Sequence, residues 1–283
     1  MQRICRSIGV KSFGVRLCSS NTNGIISSLP QNSKVSNSTH DPIAGRRRFY
    51  KDVGVAESTE NAGYYNILLD GRVLKSPAFA PFEMPNKDIA SIIAGEWDAQ
   101  DNCLGIQPTS MAFMKLAATA VDQITPDREY TQQHCVSFLP TDTVLYFTDQ
   151  EDRILLRKQE KHFKPLISWM NSEFNIDLNV SYGGMRKLEH SADTVSKVRA
   201  AVGALNPFEL ACLQCVTMEC KSIIIALALL HRKISYKEAI LVSRLEEELQ
   251  CEVWGVVEGG HDIDRLHNKI RISSACLMYE LMQ

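Results

Sequence analysis

The sequence predicts an α+β protein: a small β-rich N-terminal domain carrying a few helices, followed by a mainly α-helical, orthogonal-bundle C-terminal domain. Three observations carry this. Asp70-Gly71 sits between YYNILL and RVLK, a two-residue signal for a hairpin whose central residues need positive φ. Two segments of helical period follow it before residue 128. From about residue 129 onward almost every segment reads as helix. The expected organisation is a leader over 1–45, an α+β domain over 46–128 and a helical domain over 129–283.

The leader is argued from charge. Residues 1–40 hold Arg3, Arg6, Lys11, Arg16 and Lys34, nine serines and no acid before Asp41. An Arg- and Ser-rich, acid-free segment without a long apolar stretch fits a mitochondrial import sequence rather than a secretory signal. The remaining chain then has 26 basic residues against 33 acidic ones, about −7. That balance argues against a nucleic-acid partner, which would need clustered Lys and Arg.

Along the first domain, Pro77, Pro81 and Pro85 punctuate the exit from the hairpin. Asn86 is placed to cap a helix with Ile89, Ile92, Ile93 and Trp97 at helical spacing. After Gly105 and Pro108, SMAFMKLAATAVDQI reads as a second helix running into Pro126. In the second domain REYTQQHCVSFL is helical and TVLYF short and extended. Arg153 to His162 forms a helix, and Pro165 opens another at its first turn. Ser191 to Leu205 follows, and Asn206-Pro207-Phe208-Glu209 is a strong start signal for a helix through Leu230 that is apolar almost all round. Ser235 and Glu238 form a second capping box. It opens a helix whose stripe carries Ile240 or Leu241, Leu245, Leu249 and Val253. Asp262 to Leu281 is the last helix. The longest apolar run, Ile223–Leu230, is far short of the ~20 residues of a membrane span. A soluble protein without one is expected.

Three clusters could carry chemistry. Cys212, Cys215 and Cys220 share one helix, but structural zinc wants a second ligand pair and none follows, so core packing is expected. The nine cysteines show no disulfide frame. Glu219 and Lys221 interrupt an apolar helix and, if buried, need partners; otherwise they mark a solvent-facing edge. In VVEGGHDIDR, His261 and Asp262 suggest a metal-dependent phosphohydrolase as the alternative function. Against it, HExxH is absent, and His261 and His267 stand roughly 240° apart on a helix. No nucleophile elbow, Walker A loop or dinucleotide fingerprint occurs. The structural reading has Gly259-Gly260 end one helix, Asp262 cap the next and Asp264 occupy its first turn. No catalytic residue, metal or cofactor is expected.

Taken in order, RRFYKDVGV, YNILLDGRVLKSPA, IAGEWDAQ, SMAFMKLAATAVDQI, FLPTDTVLYF, NPFELACLQ and SRLEEELQCEVWGVVEGGHD resemble the mitochondrial ATP synthase assembly factor 2 family. The resemblance runs from about residue 46 to 270 and departs at Met111 and in the serine-rich last helix. It implies a non-enzymatic chaperone of the mitochondrial matrix. The implied partner is the unassembled alpha subunit of the catalytic sector, held until beta subunits replace the chaperone. Such a surface calls for an apolar patch with an acidic rim. Glu247, Glu248, Glu252, Trp254 and Glu258 are the expected partner-binding residues, with Trp97 of EWDAQ second to them.

Overall fold

The computed structural model describes residues 45–101, 105–184 and 186–283. All of the expected leader but its last residue, and with it Cys5 and Cys18, lies outside them, as does Cys103.

Four short strands form the first sheet: β1 (Val53–Glu57), β2 (Tyr65–Leu69), β3 (Arg72–Val73) and β4 (Glu83–Met84). β2 is the hub, antiparallel to all three others, with Val53 opposite Leu69 and Leu69 opposite Arg72. The β2–β3 turn adopts positive φ at both Asp70 (50°) and Gly71 (75°), as the Asp-Gly pair requires. The Asp70 carboxylate also accepts the Lys51 and Asp52 N–H groups at 2.9 and 2.8 Å, which locks β1 to the turn.

Helix α1 (Lys87–Asp98) lies on β1 and β2. Asn86 caps it, accepting from Ile89 N–H, and its amide also donates to the Leu281 carbonyl near the C-terminus. Ile89, Ile93 and Trp97 form the expected stripe, and all three are buried. The second helical segment comprises a 3₁₀ turn at Pro108–Ser110, α2 (Ala112–Thr119) and a π-helical turn at Ala120–Ile124. In the π turn, Thr125 N–H and its hydroxyl both donate to Ala120 O.

The helical part begins with α3 (Arg128–Val136), capped by Asp127. TVLYF is half 3₁₀, over Thr143–Leu145, and half strand: β5 (Tyr146–Phe147) pairs in parallel with β6 (Ser181–Tyr182). Between them runs α4 (Arg153–Phe174). It is one helix, not two: Pro165 lies inside it. Its buried residues Gln159, Phe163, Leu166 and Met170 make one stripe across the proline, so packing on both sides outweighs the single hydrogen bond that Pro165 cannot donate.

Helix α5 (Ala192–Ala204) is capped by Ser191, and α6 (Pro207–Cys220) by the Asn206/Glu209 capping box. The apolar helix expected to reach Leu230 stops at Cys220. Lys221 is left-handed (φ 52°) and exposed, Ser222 caps a new start, and α7 (Ile223–Leu230) follows with all eight residues buried. The joint is held from afar. The buried Asp142 carboxylate accepts from Val144 N–H and Ile224 N–H, each at 3.0 Å. Burying each large aliphatic side chain of α7 contributes about 1.5–3 kcal/mol, so Leu227→Ala would cost roughly 2–5 kcal/mol. Cys212, Cys215 and Cys220 are all buried in this core.

The expected helix after Ser235 also divides, into α8 (Tyr236–Ser243) and α9 (Leu245–Trp254), at the non-helical Arg244 (φ −111°, ψ 15°). Leu241 and Val253 are consequently exposed, not on a core stripe, whereas Ala239, Val242, Leu245 and Cys251 are buried. The last helix, α10 (His261–Glu280), packs mainly on α6 and also on α2 and α8.

Candidate functional site: the corner between α9 and α10

The two last helices meet at a turn over residues 255–260. Gly255 (φ 88°) ends α9 and Gly259 (φ 75°) turns the chain into α10. The glycine pair therefore does not end α9, and Asp262 is not the cap of α10. The cap position is Gly260, which makes no side-chain bond, while Asp262 and Asp264 lie in the first turn, where acids suit the helix dipole.

His261 pins the corner instead. Its Nδ1 accepts from Val257 N–H at 3.0 Å and lies 3.4 Å from Cys251 Sγ, joining the last turn of α9 to the first of α10. Among the described residues no group of three or more His, Cys, Asp or Glu side chains is arranged to hold a metal ion. His231 packs against the rings of Trp169 and Phe174. His267 faces Glu219 at 3.9 Å. The geometry gives the phosphohydrolase reading no support.

The acids expected as a docking rim are largely committed internally. Glu247 pairs with Arg244, itself buried. Glu248 accepts from Arg265 Nε (2.7 Å) and Nη2 (2.5 Å), and this pairing holds its carboxyl below the usual range. Glu252 pairs with Lys158 at 2.7 Å. Glu246, which heads the same acidic run but is not among the expected partner-binding residues, accepts from the buried Gln159 amide at 2.7 Å. Glu258 alone of the expected acids is exposed and makes no hydrogen bond or ion pair among the described residues.

The apolar component is larger than expected. Trp254 is 79% exposed, and Val253, Val256 and Val257 beside it are exposed as well. Past the corner, Ile263, Leu266, Ile270 and Leu277 are exposed on α10. They fall three, seven and fourteen residues after the first, within about 60° of one another at 100° per residue. Ile272, Ala275 and Met278 use the other side of α10 for the core. An apolar stripe on the outer side of a helix already packed on its inner side makes this the candidate docking face. Trp97, by contrast, is 2% exposed, its ring set edge-on to Tyr50 (5.6 Å). It belongs to the core, and a partner cannot reach it. Glu219, one of the interrupting charges, is paired with Arg271 at 2.7 Å.

Comparison with known proteins agrees. Residues 47–171 match the family model described as ATP12 chaperone protein. The chain is 27% identical over 247 residues to the mitochondrial protein atp12 of Schizosaccharomyces pombe, covering 84% of this chain and 83% of that one. It is 24% identical over 271 residues to the mitochondrial protein ATP12 of Saccharomyces cerevisiae, covering 82% and 83%. The crystal structure of Atp12 from Paracoccus denitrificans superposes with a TM-score of 0.75 at 27% identity, covering 84% of this chain and 99% of that one. Fold and matches define the class: an α+β chaperone. The chain is similar to ATP12 chaperone proteins, through the family model over residues 47–171 and through relatives and a solved structure whose likeness spans more than four-fifths of it.

Proposed function

We propose that this protein binds the unassembled alpha subunit of the mitochondrial ATP synthase catalytic sector in the matrix and holds it until beta subunits take its place. The observation that carries the reading is the solvent-exposed Trp254 with its valine neighbours, beside acids already neutralised by Lys158, Arg244 and Arg265. An apolar surface of this kind suits a client whose own subunit interface is still uncovered. Paired acids cost little to desolvate compared with free ones, so binding rests on the apolar contacts while Glu258 supplies steering. Release needs no cofactor or catalysis. Beta subunits that bind the same client surface more tightly displace the chaperone by mass action. The mitochondrial names of the two yeast relatives and the acid-free leader both support the compartment.

Affinity capture from matrix extract tests the proposal. The alpha subunit is expected to be enriched over the assembled enzyme, and Trp254→Ala is expected to lose that enrichment. Capture of assembled enzyme in proportion to its abundance would refute it.

A further inference from the structure

Helix α4 turns a second, charged surface to solvent beside the corner. Arg153, Arg157 and Lys161 stand at four-residue intervals along it, and all three are exposed. At 100° and 1.5 Å per residue they form one stripe about 80° wide and roughly 12 Å long. Their side chains make no hydrogen bond or ion pair among the described residues. Lys158 and Lys164 on the same helix are by contrast paired, with Glu252 and Glu160. Ile154, 66% exposed, falls between the stripe and Lys158 around the helix. Lys158 in turn reaches Glu252 on α9, two residues before Trp254, so the stripe borders the exposed corner.

Folding alone does not call for this arrangement. Like charges four residues apart disfavour a helix, and the stripe contains two such pairs. Arg153 is also the first residue of α4, the end at which the helix dipole opposes a cation. Gln159, Phe163, Leu166 and Met170 bury the opposite side of the helix, so the three cations face away from the core.

Cations spaced along one helix face complement carboxylates, and two of the three are guanidinium forks suited to bidentate pairing. The stripe is short and acids bracket it: Glu151 and Asp152 precede Arg153, and Glu160 lies along one edge. Outside residues 1–40 the chain carries 26 basic against 33 acidic side chains. Both features repel an extended polyanion such as a lipid surface or a nucleic acid, and both admit a compact acidic segment.

We infer that Arg153, Arg157 and Lys161 receive an acidic segment of the client, its carboxylates on the stripe and an apolar neighbour on Ile154. The inference rests on the proposed function and takes its client from it. The sign is the reverse of the acidic rim expected from the sequence. The α9 acids are spent on Lys158, Arg244 and Arg265, and the cations of α4 are the unspent charges on that side. Rim charges of this kind act on encounter more than on residence.

The test follows association of purified alpha subunit with the full chain by surface plasmon resonance at two ionic strengths. Wild type is expected to associate roughly tenfold more slowly in about 300 mM salt than in about 50 mM. Arg153→Gln/Arg157→Gln/Lys161→Gln is expected to associate roughly tenfold more slowly than wild type in low salt, to lose the salt dependence and to keep its dissociation rate. Arg72→Gln/Lys75→Gln/Lys233→Gln removes the same charge from exposed positions off α4, and is expected to stay within about twofold of wild type. Relief of the like-charge pairs should hold or raise the Tm of the α4 variant, which separates slower association from loss of structure. Zero-length carbodiimide coupling is expected to join Lys161 to an Asp or Glu of the alpha subunit. Alpha binding whose rate ignores the α4 variant, or falls equally in the control variant, overturns the stripe and spares the proposed function. Coupling of the alpha subunit only to lysines off α4 does the same. So does capture of anionic lipid vesicles, or a dimer in sedimentation, that the α4 variant abolishes while alpha binding stands, since a membrane or a second copy would then be the occupant. No binding of alpha subunit by wild type removes both.

Discussion

Arg265 on α10 holds both carboxylate oxygens of Glu248 on α9, Nε to Oε1 at 2.7 Å and Nη2 to Oε2 at 2.5 Å. Seventeen residues separate the two, and between them lies the whole exposed corner. With the His261–Val257 hydrogen bond, this fork sets the angle at which Trp254 is presented. Glu248→Gln is expected to lower Tm by at most about 2–4 °C, because a partly exposed pair is screened by water and contributes no more than about 1 kcal/mol. Faster hydrogen exchange over residues 255–260 is the sharper readout; unchanged exchange there would show that the fork does not hold the corner.

Trp254→Ala separates binding from stability. With 79% of the side chain in water, its loss should change the unfolding free energy by less than about 0.5 kcal/mol. If it anchors the client, affinity should fall by about 2 kcal/mol, roughly 30-fold. A surface plasmon titration against alpha subunit, paired with a denaturant melt, reads both quantities on one preparation.

Glu96 reaches from α1 to cap α2, accepting from Phe113 N–H at Oε1 and Met114 N–H at Oε2, each at 2.8 Å. Burial raises its pKa, and the backbone bonds oppose that rise only in part. Removing this long-range cap in Glu96→Ala should cost about 1–2 kcal/mol, in the range of ordinary N-caps. The expected signature is lost exchange protection at the Phe113 and Met114 amides.

Asp142 makes a pH prediction with a defined sign. Burial lifts its carboxyl to about 6, even though Ser222 and backbone N–H groups pull the other way. A folded pKa above the unfolded value means that folding favours the protonated form. Its contribution is therefore complete below about pH 4 and is lost as pH rises through about 6. The loss is at most roughly 3 kcal/mol for a shift of about two units. Wild type should thus lose stability relative to Asp142→Asn between pH 4 and pH 7; a constant difference would contradict the assignment.

Much of the fold is legible locally. Asp70-Gly71 demands a positive-φ turn, and Asn206/Glu209 and Ser235/Glu238 satisfy their own helix starts within four residues. The breaks at Lys221 and Arg244 carry no glycine or proline. They arise because Asp142 takes Ile224 N–H from 82 residues away, and because buried Arg244 turns its guanidinium onto Glu247 and Glu248. Pro165 misleads in the opposite direction, since tertiary packing carries α4 through it. At the candidate site, Trp254 and Glu258 are singled out by the segment that resembles the family, and both are exposed. The pairing of Glu252 with Lys158, 94 residues distant, has no local signal.

The central claim is that this chaperone recognises a surface the alpha subunit exposes only before assembly. Its most direct measurement is the affinity of the purified protein for free alpha subunit beside its affinity for an alpha–beta assembly. Tight binding to free alpha subunit, abolished by prior beta binding and weakened by Trp254→Ala, is the predicted result. Equal affinity for the free and assembled forms, or none for free alpha subunit, would contradict the account.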